Sequence, residues 1–125
     1  MTTEQTRIRL KRIYEPVADD DGLRILVERL WPRAFTKQRA AVDFWCKDVA
    51  PSPELRRWFA HDPQKRPQFC ARYSAEITRN PALLAWFKSR AAEGTVTLLY
   101  AARDDAHNSA VVLRELLSRP EREHR

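Results

Sequence analysis

The chain has little glycine and little cysteine, and both shortages narrow what it can be. Gly22 and Gly94 are the two glycines among 125 residues. A phosphate-cradling loop of the Gly-x-Gly-x-x-Gly or Walker type needs more of them at close spacing, so neither kind is present. The Gly-x-Ser-x-Gly nucleophile elbow is missing as well. Cys46 and Cys70 are too few for a disulfide framework and form no Cys-x-x-Cys pair. Both sit among aromatics, in "DFWCKD" and "QFCARY", where a free Cys serves as a small buried hydrophobe. His61, His107 and His124 show no metal-ligand spacing with one another or with the cysteines, so no metal site is expected. No run approaches the roughly 20 apolar residues of a membrane span. The opening "MTTEQTRIRLKR" lacks the apolar centre of a signal peptide. A cytoplasmic protein with no membrane contact is expected.

What is there suits a helix-rich globule. Hydrophobic residues make up 43% of the chain, with four Trp, so a core needs no staples at this length. One domain over residues 1–125 is expected, with 1–6 and 119–125 as flexible ends. The formal charge is +6, from 23 Lys and Arg against 17 Asp and Glu, which favours anionic partners. Part of that bias lies in "RIRLKR" and "RPEREHR" near the termini, where solvated tails are common.

Residues 8–14, "IRLKRIY", read as a first strand, followed by turn signals at Pro16 and Asp21-Gly22. "LRILVERLW", Leu23 to Trp31, reads as a second strand with an apolar centre, ended by Pro32. "TKQRAAVDFWCKDVA" is left open between loop and short helix. Ser52 then has the chemistry of a helix cap, Pro53 suits the first helical position, and Leu55, Trp58 and Phe59 share one face. A second helix should begin near Pro67 with Phe69, Cys70, Tyr73 and Ile77 inward. "NPALLAWFKSRAAEG" repeats the grammar from Asn80 as cap to Gly94 past the end. "TVTLLYAA", Thr95 to Ala102, reads as a central strand, and a last helix should run from about Asn108 to Ser118. Strands separated by helices imply an α/β domain with a small, mainly parallel sheet flanked by helices.

In open parallel sheets ligands bind beyond the carboxyl ends of the strands. Two polar clusters fall there: Glu28, Arg29 and Arg33 after the second strand, and Arg103, Asp104, Asp105, His107 and Asn108 after the last. If the two strands are parallel neighbours, the clusters converge. Arg29, Arg33 and Arg103 would then hold an anion, with Asn108 beside them at the start of the final helix. Tyr100 would offer a hydroxyl if it faced the site rather than the core. In an enzyme, Asp104, His107 and Glu28 are the candidate acid–base groups. Each has a plain alternative: Asp105 or Asn108 as helix cap, Arg103 and Asp104 in ion pairs, His107 on the surface, the Trp residues in the core.

The segments "LKRIYEP", "DGLRILVERLWPR", "KDVAPSPELRRWFAHDP", "FCARYSAEI" and "LLYAARDDAHNSAVVL" together resemble the YeaO-like branch of the DUF-488 family, from about Ile8 to Leu117. That family is named for lacking an assigned function. The resemblance implies that longer relatives carry an Asp-containing strand end where this chain has "LVERLWPR". It also implies a Cys-rich element in them where this chain has "LLYAARDDAHN". Here Tyr100 stands in place of the first Cys and His107-Asn108 near a Cys-His pair, so thiol or metal chemistry does not carry over. Glu28 stands where the branch usually has Asp, and Ala34 where Gly commonly follows the Arg.

Three functions follow for testing. The first is a small-ligand domain, with or without enzyme activity, for a phosphate-, nucleotide- or carboxylate-bearing molecule. The second is nucleic-acid binding through the basic surface, against which stand the mixed charge of the helix faces and the Pro-bearing junctions between them. The third is a protein-interaction module without a small ligand. No residue pattern points to a cofactor or an oligomeric state.

Overall fold

A computed structural model describes residues 7–33, 35–36, 40–60, 62–101 and 109–118 of the chain. Among the described residues four strands form one sheet: β1 (Ile8–Arg12), β2 (Leu23–Leu26), β3 (Phe44–Trp45) and β4 (Val96–Tyr100). Their order is β1-β4-β2-β3 and every pairing is parallel. Leu98 lies opposite Leu10 on one side and Ile25 on the other. The expected central strand is thus central, and the two strands whose ends were expected to meet are neighbours. Both regular strands are shorter than expected, since the ladder past Leu26 reduces to Val27 N–H donating to the Leu99 carbonyl at 3.1 Å. β3 lies in the stretch left open by the sequence.

The helices among the described residues are α1 (Pro53–Phe59), α2 (Arg66–Thr78), α3 (Pro81–Glu93) and α4 (Ser109–Ser118). Ser52 caps α1 by accepting from Leu55 N–H, and Asn80 caps α3 by accepting from Leu83 N–H, each with Pro following at the first helical position. Their apolar stripes, with Leu55, Phe69, Tyr73, Ile77, Phe87, Leu113 and Leu117 among them, pack against Ile8, Ile25, Val27, Val96, Leu98 and Tyr100. A smaller cluster of Ile13, Leu26, Ala40 and Leu99, backed by Trp31 and Phe35, covers the opposite face. The two clusters follow from strand alternation, since Leu98 and Leu99 must point to opposite sides. Cys46 and Cys70 are half-buried at the rim of the larger cluster, as are Trp58 and Trp86, whereas Trp45 on the edge strand is 39% exposed.

Gly22 sets the entry to β2. Its φ is +67°, and a Cβ there would meet the Thr95 carbonyl oxygen at 2.2 Å, so only Gly fits this approach of the β2 lead-in to β4. On the second face, a polar network spans three strands. The Asp21 carboxylate accepts from Lys11 Nζ of β1 and from Arg24 of β2, while Thr97 of β4 donates its hydroxyl to the Asp21 carbonyl. No helix among the described residues is long and apolar enough to cross a membrane.

Candidate functional site

The carboxyl ends of β2 and β4 are joined by a side chain. Just past β2, Glu28 turns its Oε2 toward the start of the segment after β4 and accepts from Ala101 N–H at 2.9 Å. The contact follows from parallel pairing: the ladder has stopped, and a carboxylate takes the next backbone donor along β4. Glu28 is half-buried, and burial pushes its carboxyl above the usual glutamate range. The Ala101 N–H and the Arg56 guanidinium of α1 oppose that rise without cancelling it. The Glu28 carbonyl is held from the other side, accepting from Trp45 Nε1 of β3 at 2.8 Å.

Arg29 leaves the strand beside it and reaches the segment that leads into α1. Its Nη2 donates to the Ala50 carbonyl at 3.2 Å and to the Pro51 carbonyl at 3.4 Å. Its Nε is buried and has no hydrogen-bond partner among the described residues. Folded proteins pair almost all buried donors, and among the described residues Arg29 Nε and Arg90 Nε are the buried side-chain exceptions.

Tyr73 of α2 closes the floor of this region by donating its hydroxyl to the Val49 carbonyl. Burial, with the negative charges of Glu76 and Glu28, keeps that phenol far above its ordinary range, so it stays a hydrogen-bond donor. The Cys46 thiol is also pushed up, by burial first and by Asp48 in addition, although Val49 N–H works the other way. A thiol held protonated is a poor nucleophile. Glu76 is turned inward, accepting from both Ser52 N–H and the Ser52 hydroxyl.

Of the residues singled out by sequence, Glu28 and Arg29 stand together at the β2 end. Arg33 is exposed in a turn a few residues further on. Tyr100 is 4% exposed and belongs to the larger core cluster. Arg103, Asp104, His107 and Asn108 lie outside the described residues. Sequence reading missed Arg56, Tyr73 and the Ala50–Pro51 carbonyls. The signal for them was weak, because "KDVAPSP" shows a capped helix start but not that Arg29 reaches back to it. Among the described residues, no group of three or more His, Cys, Asp or Glu gathers to hold a metal ion.

A family model described as the inactive DUF488-N3 subclade matches residues 7–125. Uncharacterised proteins of Mycobacterium tuberculosis and Mycobacterium bovis are each 42% identical over 114 residues, covering 91% of this chain and 96% of their own. The uncharacterised protein YeaO of Escherichia coli is 38% identical over 110 residues, covering 88% of this chain and 96% of its own. No solved structure matches the chain.

Proposed function

The chain belongs to the YeaO-like DUF488 family, in the subclade described as inactive, and we propose that it binds a small phosphate- or carboxylate-bearing ligand at the carboxyl ends of β2 and β4 without turning it over. The observation that carries this reading is the buried, unpartnered Nε of Arg29. Its neighbour Nη2 is tethered by two long hydrogen bonds, so the guanidinium is pre-placed, and an oxyanion would supply the acceptor it lacks. Arg33 is the second cation available at that end. Arg103, Asp104, His107 and Asn108, from the segment after Ala101, are further contributors on sequence grounds. The subclade's description as inactive favours a binding role over turnover.

Glu28 tunes the site rather than acting on the ligand. Ionised, it opposes an incoming anion; protonated, it does not. A ligand should therefore bind more tightly as the pH falls through the Glu28 value. The test is a thermal-shift titration of the full chain with inorganic phosphate and with succinate, since a ligand of the native state must raise Tm by mass action. Wild type gains Tm with at least one of them. Arg29→Lys, which keeps the charge but not the fork, loses that gain, and Glu28→Gln enlarges it. No gain in wild type, or an equal gain in Arg29→Lys, overturns the reading.

A further inference from the structure

A second anion-binding feature lies on another surface, the outer side of α1 and α2. Residues 53–79 carry six Arg and Lys against three Asp and Glu, half of the chain's net charge of +6. Two of the three acidic residues in this stretch are engaged by hydrogen bonds rather than by its cations. Glu76 is drawn inward onto Ser52, and the Asp62 carboxylate accepts from Gln64 N–H at the turn before α2. Glu54, at the start of α1, is left. Among the described residues, no ion pair engages Arg56, Arg57, Lys65, Arg66, Arg72 or Arg79.

Three of these cations are regularly spaced. Lys65, Arg72 and Arg79 recur every seventh residue, and the caps at 65 and 79 keep helical backbone angles, so the three share one stripe along α2. At 1.5 Å rise per residue the stripe spans about 21 Å. Trp58 of α1 lies beneath its first half, with the Arg72 guanidinium 4.1 Å and the Lys65 ammonium 5.0 Å from the ring centroid. Lys65 Nζ is also fixed by the Trp58 carbonyl at 2.7 Å. These contacts hold two long side chains in place before any partner arrives, which lowers the ordering cost of binding.

We propose that the Lys65–Arg72–Arg79 stripe docks duplex nucleic acid through its phosphates, without reading bases. A row of three cations on one helix, two of them held in place, suits a stiff row of phosphates. The Trp58 ring is occupied by Arg72 and Lys65, so the stacking platform that single strands use is not offered. A membrane surface would call for apolar side chains beside the cations. The large exposed hydrophobics among the described residues are Tyr14, Val17, Leu30, Phe44 and Trp45, and none is on α1 or α2.

The test is fluorescence anisotropy of the full chain with a labelled DNA duplex of about 20 base pairs and arbitrary sequence, across a salt series. Three phosphate contacts give a slope near −2.7 in log affinity against log salt, a loss of about fortyfold between roughly 50 and 200 mM. Lys65→Gln/Arg72→Gln/Arg79→Gln should flatten that slope, whereas Arg9→Gln/Arg12→Gln/Arg90→Gln, which removes equal charge elsewhere, should keep it. Arg79→Glu, an exposed change at a helix end, guards against misfolding of the triple variant and should weaken binding at least tenfold. No binding at low salt, or equal losses in the two triple variants, overturns the proposal. So does binding to vesicles of anionic lipid without binding to the duplex. None of these results bears on the phosphate and succinate titration, which reads Arg29.

Discussion

Arg24 and Asp21 face one another as an ion pair in which both side chains are almost wholly buried, at 4% and 2% exposure. Arg24 completes its hydrogen bonding with the Ala40 and Ala41 carbonyls, and Asp21 with Lys11 and Ala18 N–H. The pair thus holds the 40–41 segment through Arg24, and through Asp21 the turn before β2 and, by way of Lys11, the outer strand β1. Burial on its own would raise the Asp21 carboxyl. The Lys11 ammonium, the Ala18 N–H and the Arg24 guanidinium outweigh it, and the group is held below the usual aspartate range.

Asp21→Asn leaves the buried Arg24 and the half-buried Lys11 without their counter-charge and should cost about 3–5 kcal/mol of unfolding free energy in urea titration. The pH dependence has a defined sign. A carboxyl lowered in the folded state contributes stability above its unfolded value and loses it as pH falls through the folded one. Wild type should therefore lose stability on acidification, and the Asn variant should show a flatter curve over the same acid range.

Glu28 behaves oppositely. Its carboxyl is raised in the folded state, so its contribution is complete below the unfolded glutamate value and is lost as pH rises through the folded one. In Glu28→Gln the amide oxygen still accepts the Ala101 N–H and no charge is buried. Thermal unfolding should find that variant gaining on wild type near pH 7, with the difference closing by about pH 4. A gain of the same size at both ends of that range would mean that packing, not ionisation, sets the effect.

Tyr73→Phe keeps the ring in the core but leaves the Val49 carbonyl without its donor. The expected cost is about 1–3 kcal/mol in urea unfolding, with little change on adding phosphate. A neutral result would show that water replaces the hydroxyl at that carbonyl.

Much of this fold is written locally. Ser52-Pro53 and Asn80-Pro81 announce helix starts because capping and φ restriction act within three residues. β4 is legible because its apolar run is short, β-branched at Val96 and Thr97, and preceded by Gly94. β3 escapes because two residues leave no alternation to read, and Phe44 and Trp45 are exposed on an edge. Arg24 hides within "LRILVERLW", since its acceptors at Ala40 and Ala41 lie many residues away and no local pattern signals them. The site divides in the same way. Glu28 and Arg29 follow from their place after β2, whereas their links to Ala101 and Ala50 depend on which strands and segments meet in space.

The strand order has a consequence for how the chain is made. β4 is the last strand in sequence, yet it lies between the first two. Until Val96–Tyr100 has emerged from the ribosome, β1 has no neighbour to pair with and Ile25 and Leu26 lack half of theirs. The sheet closes only after α1, α2 and α3 have already been delivered. A chain stopped before Val96 therefore holds the sequence of three strands and three helices but only the short β2–β3 pair of the sheet, and its apolar surfaces are left to bind one another.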